Sequence, residues 1–349
     1  MINILIISSL ASLFLPSNWV TETYKVSGQE NLVNIGNIKH VYHLHGELIF
    51  LNKKSNQIGF LDLQKKHLTK VITKQSLPLE DLYNDYIKSS SHNTDEFSES
   101  ISGIASSMIG ICSIYPRTAN ELSIIFSMGV SQLDTVVEND TVNVYRRFNY
   151  IYGLGSIHDQ DSNKIQFESL LRVDSLPPGT YPSFNSSIWI EENKVLIPLS
   201  IRNANGHING KVPGLAVYQK TNNAYSLDTV YFCESSSMVN YQNTLYYSVL
   251  WPSSTGFRWN NMICLNLKEG FNENPPIQEI PFGTSEYSIL GNPYSADPNH
   301  AYQIRHLGTG QKMSLSFQKS GFPIGVNDHV YYFTKDENAN LVLNEVALN

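Results

Sequence analysis

The feature that most limits what this chain can become is a unit that returns along it: a short apolar strand, a polar turn, a second strand, a polar loop and a third strand. The first copy spans Val41 to Val71. Val41-Tyr42-His43-Leu44 passes through His45-Gly46-Glu47 into Leu48-Ile49-Phe50-Leu51, and Asn52 to Asn56 leads on to Ile58-Gly59-Phe60-Leu61-Asp62. Asn, Gly and Ser at the joints tolerate the backbone angles that tight turns need. A second copy has Ser187 to Ile190, Val195 to Leu199 and Gly214 to Tyr218; a third has Met238-Val239, Leu245 to Leu250 and Met262 to Leu265. His329 to Phe333 with Leu341 to Leu343 suggests a fourth. Val195 to Leu245 is a step of about 50 residues, and Leu48 to Val195 is about three such steps, a period typical of propeller blades. One blade has two apolar faces and hides them only against neighbours. The prediction is an all-β fold, a β-propeller of roughly six or seven four-stranded blades. The weaker copies, around Met108 to Met128 and Tyr150 to Val173, leave the count open.

Composition agrees. Apolar residues make up 41% and charged residues 16%, an ordered globular balance, and 20 Tyr with 15 Phe favour pleated surfaces. The net charge of −7 and the absence of a long basic run exclude nucleic acid as a natural partner. Helical periodicity is rare. Leu79 to Ile87 can form a short amphipathic helix, and the polar stretch that continues to Ser100 reads as an insertion near 77–100.

Ile2 to Leu15 is apolar, ends at Pro16-Ser17-Asn18 and is too short to cross a bilayer. It reads as the hydrophobic part of a signal peptide over 1–17, although no Lys or Arg precedes it; a strand or helix packed on the domain is the other reading. Residues 18–349 then form one domain, periplasmic or secreted, with no stable membrane insertion. Cys112, Cys233 and Cys264 each lie in apolar runs, and either buried thiols or a Cys233–Cys264 bridge would suit them.

The stretch Leu48 to Ile72, beginning Leu-Ile-Phe-Leu-Asn-Lys-Lys-Ser-Asn-Gln-Ile-Gly-Phe-Leu-Asp, resembles the blade consensus of bacterial secreted propellers. With Ser183-Phe184-Asn185-Ser186-Ser187 ahead of strand, turn and strand, the chain resembles an uncharacterised exported six-bladed propeller family of Bacteroidetes-type bacteria. That resemblance implies export and assigns no activity. Members typically carry a lipoprotein signal, and the lipid-bearing cysteine has no counterpart here.

Catalytic signatures do not stand out. Gly206 to Lys211 is one residue short of a phosphate loop, with Val212 where a metal-binding hydroxyl belongs. Gly153-Leu-Gly155 and Gly308-Thr-Gly310 read as loops, as does Asp159-Gln-Asp161-Ser-Asn163, which lacks the glycine and glutamate of a calcium loop. His43 and His45 share a strand face and His40 opposes them, which leaves a metal short of ligands; no metal or cofactor is predicted. The repeat supplies the better site. Arg202, Arg258 and Arg305 each follow a second strand in successive units, where loops leave one end of a propeller. Guanidinium forks match carboxylates and phosphates, and Trp251, Trp259, Tyr302 and His306 add stacking surface. The expected function is binding or scaffolding for a peptide, glycan or protein partner. A glycan-active lyase or hydrolase working in the central funnel is the alternative.

Overall fold

The computed structural model describes residues 20–348 except 37, 90–107, 119, 139–140, 159–163, 174–175, 178–179, 183–188, 192, 202–212, 222–223, 233–234, 242–243, 254–255, 266–278, 283–286, 291–301, 307–308 and 316–322. Strands dominate, and among the described residues one helix exceeds a single turn, so the fold is all-β. The chain divides into two compact units. One joins the segment ending at Val26 to Glu279–Asn349, and the other is Ser27–Gln278.

β1 (Val20–Lys25) belongs to the first unit. The second opens with a four-stranded antiparallel meander of β2 (Ile38–Leu44), β3 (Glu47–Asn52), β4 (Gln57–Asp62) and β5 (His67–Thr73); its first three strands are those of the first sequence copy, and β5 adds a fourth. The predicted turn is the two-residue hairpin His45-Gly46, with φ of 49° and 80°. Paired positive φ values are what a hairpin needs to follow strand twist, and Gly46 adopts them without a Cβ clash. Helix α1 (Leu79–Ser89) follows, two residues longer than its predicted core. Glu80 and Asp81 stand in its first turn and Lys88 in its last, matching the helix dipole, while Leu82 is its buried anchor.

The next strands are β6 (Ile109–Thr118), β7 (Glu121–Glu138), β8 (Thr141–Ile157), β9 (Gln166–Leu171), β10 (Thr180–Pro182), β11 (Trp189–Glu191), β12 (Lys194–Ile201), β13 (Pro213–Thr221) and β14 (Ala224–Phe232). They form one nine-stranded sheet ordered β10-β12-β13-β14-β9-β8-β7-β6, with β11 also on β12. The expected separation into four-stranded blades is not kept here. The cause is a parallel contact between β14 and β9, Ala224 opposite Leu170 and Tyr225 opposite Leu171, which joins two meanders edge to edge. β15 (Ser235–Tyr241), β16 (Thr244–Ser253) and β17 (Gly256–Leu265) complete this unit as a three-stranded sheet.

Described side chains from both faces of β6–β9 enter buried cores. Leu122, Ile124, Phe126 and Met128 share a core with Ile49, Leu51, Ile58 and Phe60 of the first sheet and Leu82 of α1. Ile125, Leu154 and Leu171 join Val195, Ile197, Val217 and Tyr218 in a second core. Each such side chain contributes roughly 1.5–3 kcal/mol. A loop locks the first sheet to β6. Lys53 Nζ donates to the Ile111 and Cys112 carbonyls at 2.7 and 3.0 Å, and Ile111 N–H donates to Asn56 Oδ1 at 3.0 Å. β6 is the edge strand of its sheet, so these backbone groups have no neighbouring strand to bond on that side. Burial lowers the Lys53 ammonium below the ordinary lysine range and raises the Cys112 thiol.

Gly153-Leu-Gly155 corrects a sequence expectation, because it lies inside β8 and is no loop. Gly153 is the register partner of Phe126, whose ring covers it; a Cβ there would stand 2.6 Å from Phe126 Cζ. The first sheet repeats the device, with Gly59 opposite Phe50 and a corresponding 2.4 Å approach. An aromatic ring thus lies on a cross-strand glycine in both sheets.

The first unit holds two four-stranded sheets. One is β18 (Glu279–Phe282), β19 (Tyr287–Leu290), β20 (Tyr302–His306) and β21 (Lys312–Leu315). The other is ordered β1-β24-β23-β22, from β22 (Ile324–Val326), β23 (His329–Lys335) and β24 (Leu341–Ala347). Val20 pairs with Ala347 and Lys25 with Val342, so the first described strand completes the last sheet.

Candidate functional site

A dense polar cluster among the described residues lies at one end of β6–β9 and comes from two irregularities. In β6 the register slips between Pro116 and Thr118, which makes Arg117 the extra residue of a bulge. In β9 the partners of Leu154 and Gly155 are Ser169 and Phe167, so Glu168 is extra there. Bulges re-aim side chains, and these two send Arg117 and Glu168 over the intervening β7–β8 hairpin from opposite sides. Arg117 Nη2 donates to Glu168 Oε2 at 2.9 Å, and Nη1 to Glu168 Oε1 at 3.2 Å and Glu121 Oε1 at 2.8 Å. The side chains are only 15–20% exposed, so these contacts act in a medium well below the dielectric of water.

Electrostatics holds the cluster charged. Burial favours the neutral acid at Glu168, but hydrogen bonds from Arg117 and Ser156 outweigh it and keep the carboxyl below the usual range. Burial likewise works against the Arg117 charge, and the two glutamates more than restore it. Tyr225 borders the group, its phenol raised by burial and by Glu168, and the Lys220 ammonium lies 5.8 Å from its ring centre.

His158 extends the cluster toward solvent. Its Nε2 lies 2.9 Å from Ser156 Oγ and its Nδ1 3.8 Å from Glu121 Oε1, the atom order of a serine–histidine–acid relay. Ser156 is fully buried, which keeps its hydroxyl from a substrate, and the donor in its contact with His158 follows from the histidine tautomer. Glu121, His158 and Glu168 also offer three ligand atoms within 4.8 Å of one another, but a metal would have to displace Arg117, which already supplies the positive charge. Arg117 Nε and the hydroxyls of Ser123 and Ser169 are buried here without a hydrogen bond among the described residues. Water or a ligand oxygen is what such groups ordinarily bind.

Sequence alone does not single out these residues. Arg117 and Glu121 flank a tight hairpin, a weak local signal; Glu168 depends on a bulge and on strand order, which no spacing reveals.

Six of the seven ligand residues expected from sequence lie in strands rather than in loops. Trp251 in β16 is the register partner of Arg258 in β17, and Leu250 that of Trp259. The β16–β17 hairpin thus brings Trp251 and Arg258 opposite each other. Tyr302, Arg305 and His306 belong to β20, with Arg305 opposite Ser288. His306 Nδ1 accepts the Thr309 N–H at 3.1 Å and so shapes its own turn. Arg202 lies outside the described residues, as do Gly206 to Lys211, Asp159 to Asn163 and Cys233. His40 and His43 of β2 and His45 of the turn after it have separate surroundings: His40 is buried 3.4 Å from Ser113 Oγ, and His45 Nε2 meets Asn120 Oδ1 at 2.7 Å. Partial desolvation at His43, with His45 nearby, lowers its imidazole below the ordinary value.

A second polar site lies between α1 and the adjoining ends of β13 and β14. It is an open cleft of about 400 Å³ whose walls include Lys88, Arg172, Thr221 and Ser226. Arg172 Nη2 donates to the Ser89 carbonyl at 3.2 Å, which caps the helix and fixes the guanidinium.

No protein-family model and no characterised protein matches the chain in sequence. Solved structures with a similar chain trace include the GH43 BlXynB protein from Bacillus licheniformis, at 11% identity and a TM-score of 0.38, over 92% of this chain and 56% of that one. A putative dipeptidyl aminopeptidase IV from Bacteroides ovatus is 10% identical with a TM-score of 0.30, over 87% and 49% of the two chains. AztD from Citrobacter koseri is 7% identical with a TM-score of 0.32, over 84% and 92%. The chain thus spans about half the length of the first two. Likeness of this degree assigns neither activity nor ligand.

Proposed function

We propose that this chain is an exported β-propeller of roughly six or seven blades that binds a glycan, peptide or protein partner and performs no chemistry on it. The propeller reading is supported by the entry of side chains from both faces of β6–β9 into buried cores and by β1 completing the last sheet. The observation that carries binding over catalysis is the occupation of Glu121 and Glu168 by Arg117. A glycosidase needs one carboxyl able to give up a proton and another able to attack or activate water. Here a guanidinium clamps both, and Glu168 stays ionised. Trp251, Trp259, Tyr302 and His306, with Arg202, Arg258 and Arg305, are the proposed partner contacts.

Glycan and peptide arrays followed by turnover assays on every hit test this reading. Binding without product, weakened tenfold or more in Trp251→Ala and Arg258→Ala, supports it. Product release overturns it. The hydrolase alternative draws on the Ser156–His158–Glu121 order, and turnover abolished by Ser156→Ala and by His158→Ala would establish it.

A further inference from the structure

We infer that the cleft beside α1 is a binding site for a small sugar acid, a single carboxylate on a hydroxylated ring. It uses none of the residues assigned above to partner contact. Arg172 carries the inference. Its one hydrogen bond to a described residue through the side chain goes to Ser89, which holds the guanidinium in place and leaves further donors of the fork available to a planar carboxylate. Lys88, exposed on the last turn of α1, adds a second positive charge to the same wall.

The remaining walls select the rest of the ligand. Asp85 brings the formal balance of the cleft to one positive charge, which suits a monoanion and disfavours a doubly charged phosphate. The same carboxylate accepts hydroxyl protons. Thr221 Oγ1 and Ser226 Oγ, 3.0 Å apart, form a hydroxyl pair that can both give and take hydrogen bonds. Leu170 and Ala224 supply an apolar patch for the C–H face of a ring. A volume of about 400 Å³ lies at the small end of ligand sites, so one ring fits better than a chain.

Titration calorimetry on the full chain tests this with D-glucuronate and D-galacturonate as probes, and D-glucose and inorganic phosphate as comparators. At least one uronate should bind with Kd on the order of 1 mM or tighter, and glucose and phosphate at least tenfold more weakly. Arg172→Gln should weaken the uronate at least tenfold. Since that change also uncaps α1, Lys88→Gln and Thr221→Val are measured beside it, each expected to weaken binding threefold or more. Trp251→Ala and Arg258→Ala should leave uronate binding unchanged, which separates this site from the partner surface. No uronate binding, equal binding of glucose or phosphate, or unchanged affinity in the Arg172 and Lys88 variants overturns the inference.

Discussion

Arg117 and Arg172 lie on strands or strand ends of the same nine-stranded sheet, yet their surroundings differ in one decisive respect. Arg117 spends its fork on two carboxylates that the chain itself supplies, with three hydrogen bonds of 2.8–3.2 Å. Arg172 gives one bond to a backbone carbonyl and faces an open cleft. The first is an internal cross-brace, the second a charge held ready. An arginine's chemistry follows from how many of its donors the fold has already taken.

The sharpest way to break this contrast is Arg117→Met. It strands two largely buried carboxylates, and urea denaturation should show a loss of about 3 kcal/mol or more. Adding Glu168→Gln to that variant should recover part of the loss; no loss in the single variant would mean the brace is idle. Acidification probes the same brace with no change at Arg117. Glu168 has a folded pKa below its unfolded value, so its contribution is complete above the ordinary carboxylate range and vanishes as pH falls through the depressed value. Thermal melts from about pH 6 down to pH 2 should therefore fall more steeply in the wild type than in Glu168→Gln.

At Arg172 the expected stability effects are smaller. Arg172→Gln removes one cap hydrogen bond from α1 and should cost about 1 kcal/mol in the same urea experiment. Thr221→Val, at an exposed position, should change stability by less than about 0.5 kcal/mol. A cost at Arg172 equal to that at Arg117 would erase the distinction between brace and binder.

Much of the strand framework can be read from local pattern. The strands around His45-Gly46, the span of α1 and the hairpins near Val195, Leu245 and Val330 follow from alternation and turn chemistry that act over a few residues. The Arg117–Glu168 brace was illegible because 51 positions separate its members. Their meeting depends on two bulges and on the strand order β6-β7-β8-β9. Gly153-Leu-Gly155 misled for a related reason: a glycine beneath a cross-strand phenylalanine has the same letters as a glycine in a loop.

Alone, the sequence determined an all-β chain of recurring hairpins, because a two-residue period and Gly/Asn turns are settled by near neighbours. Tertiary structure alone decided that β9 and β14 join edge to edge, that Arg117 is spent on glutamates and that Arg172 opens onto a cleft. Those outcomes turn on register slips of one residue and on which strand edges meet, and such choices are made by packing between segments far apart in the chain.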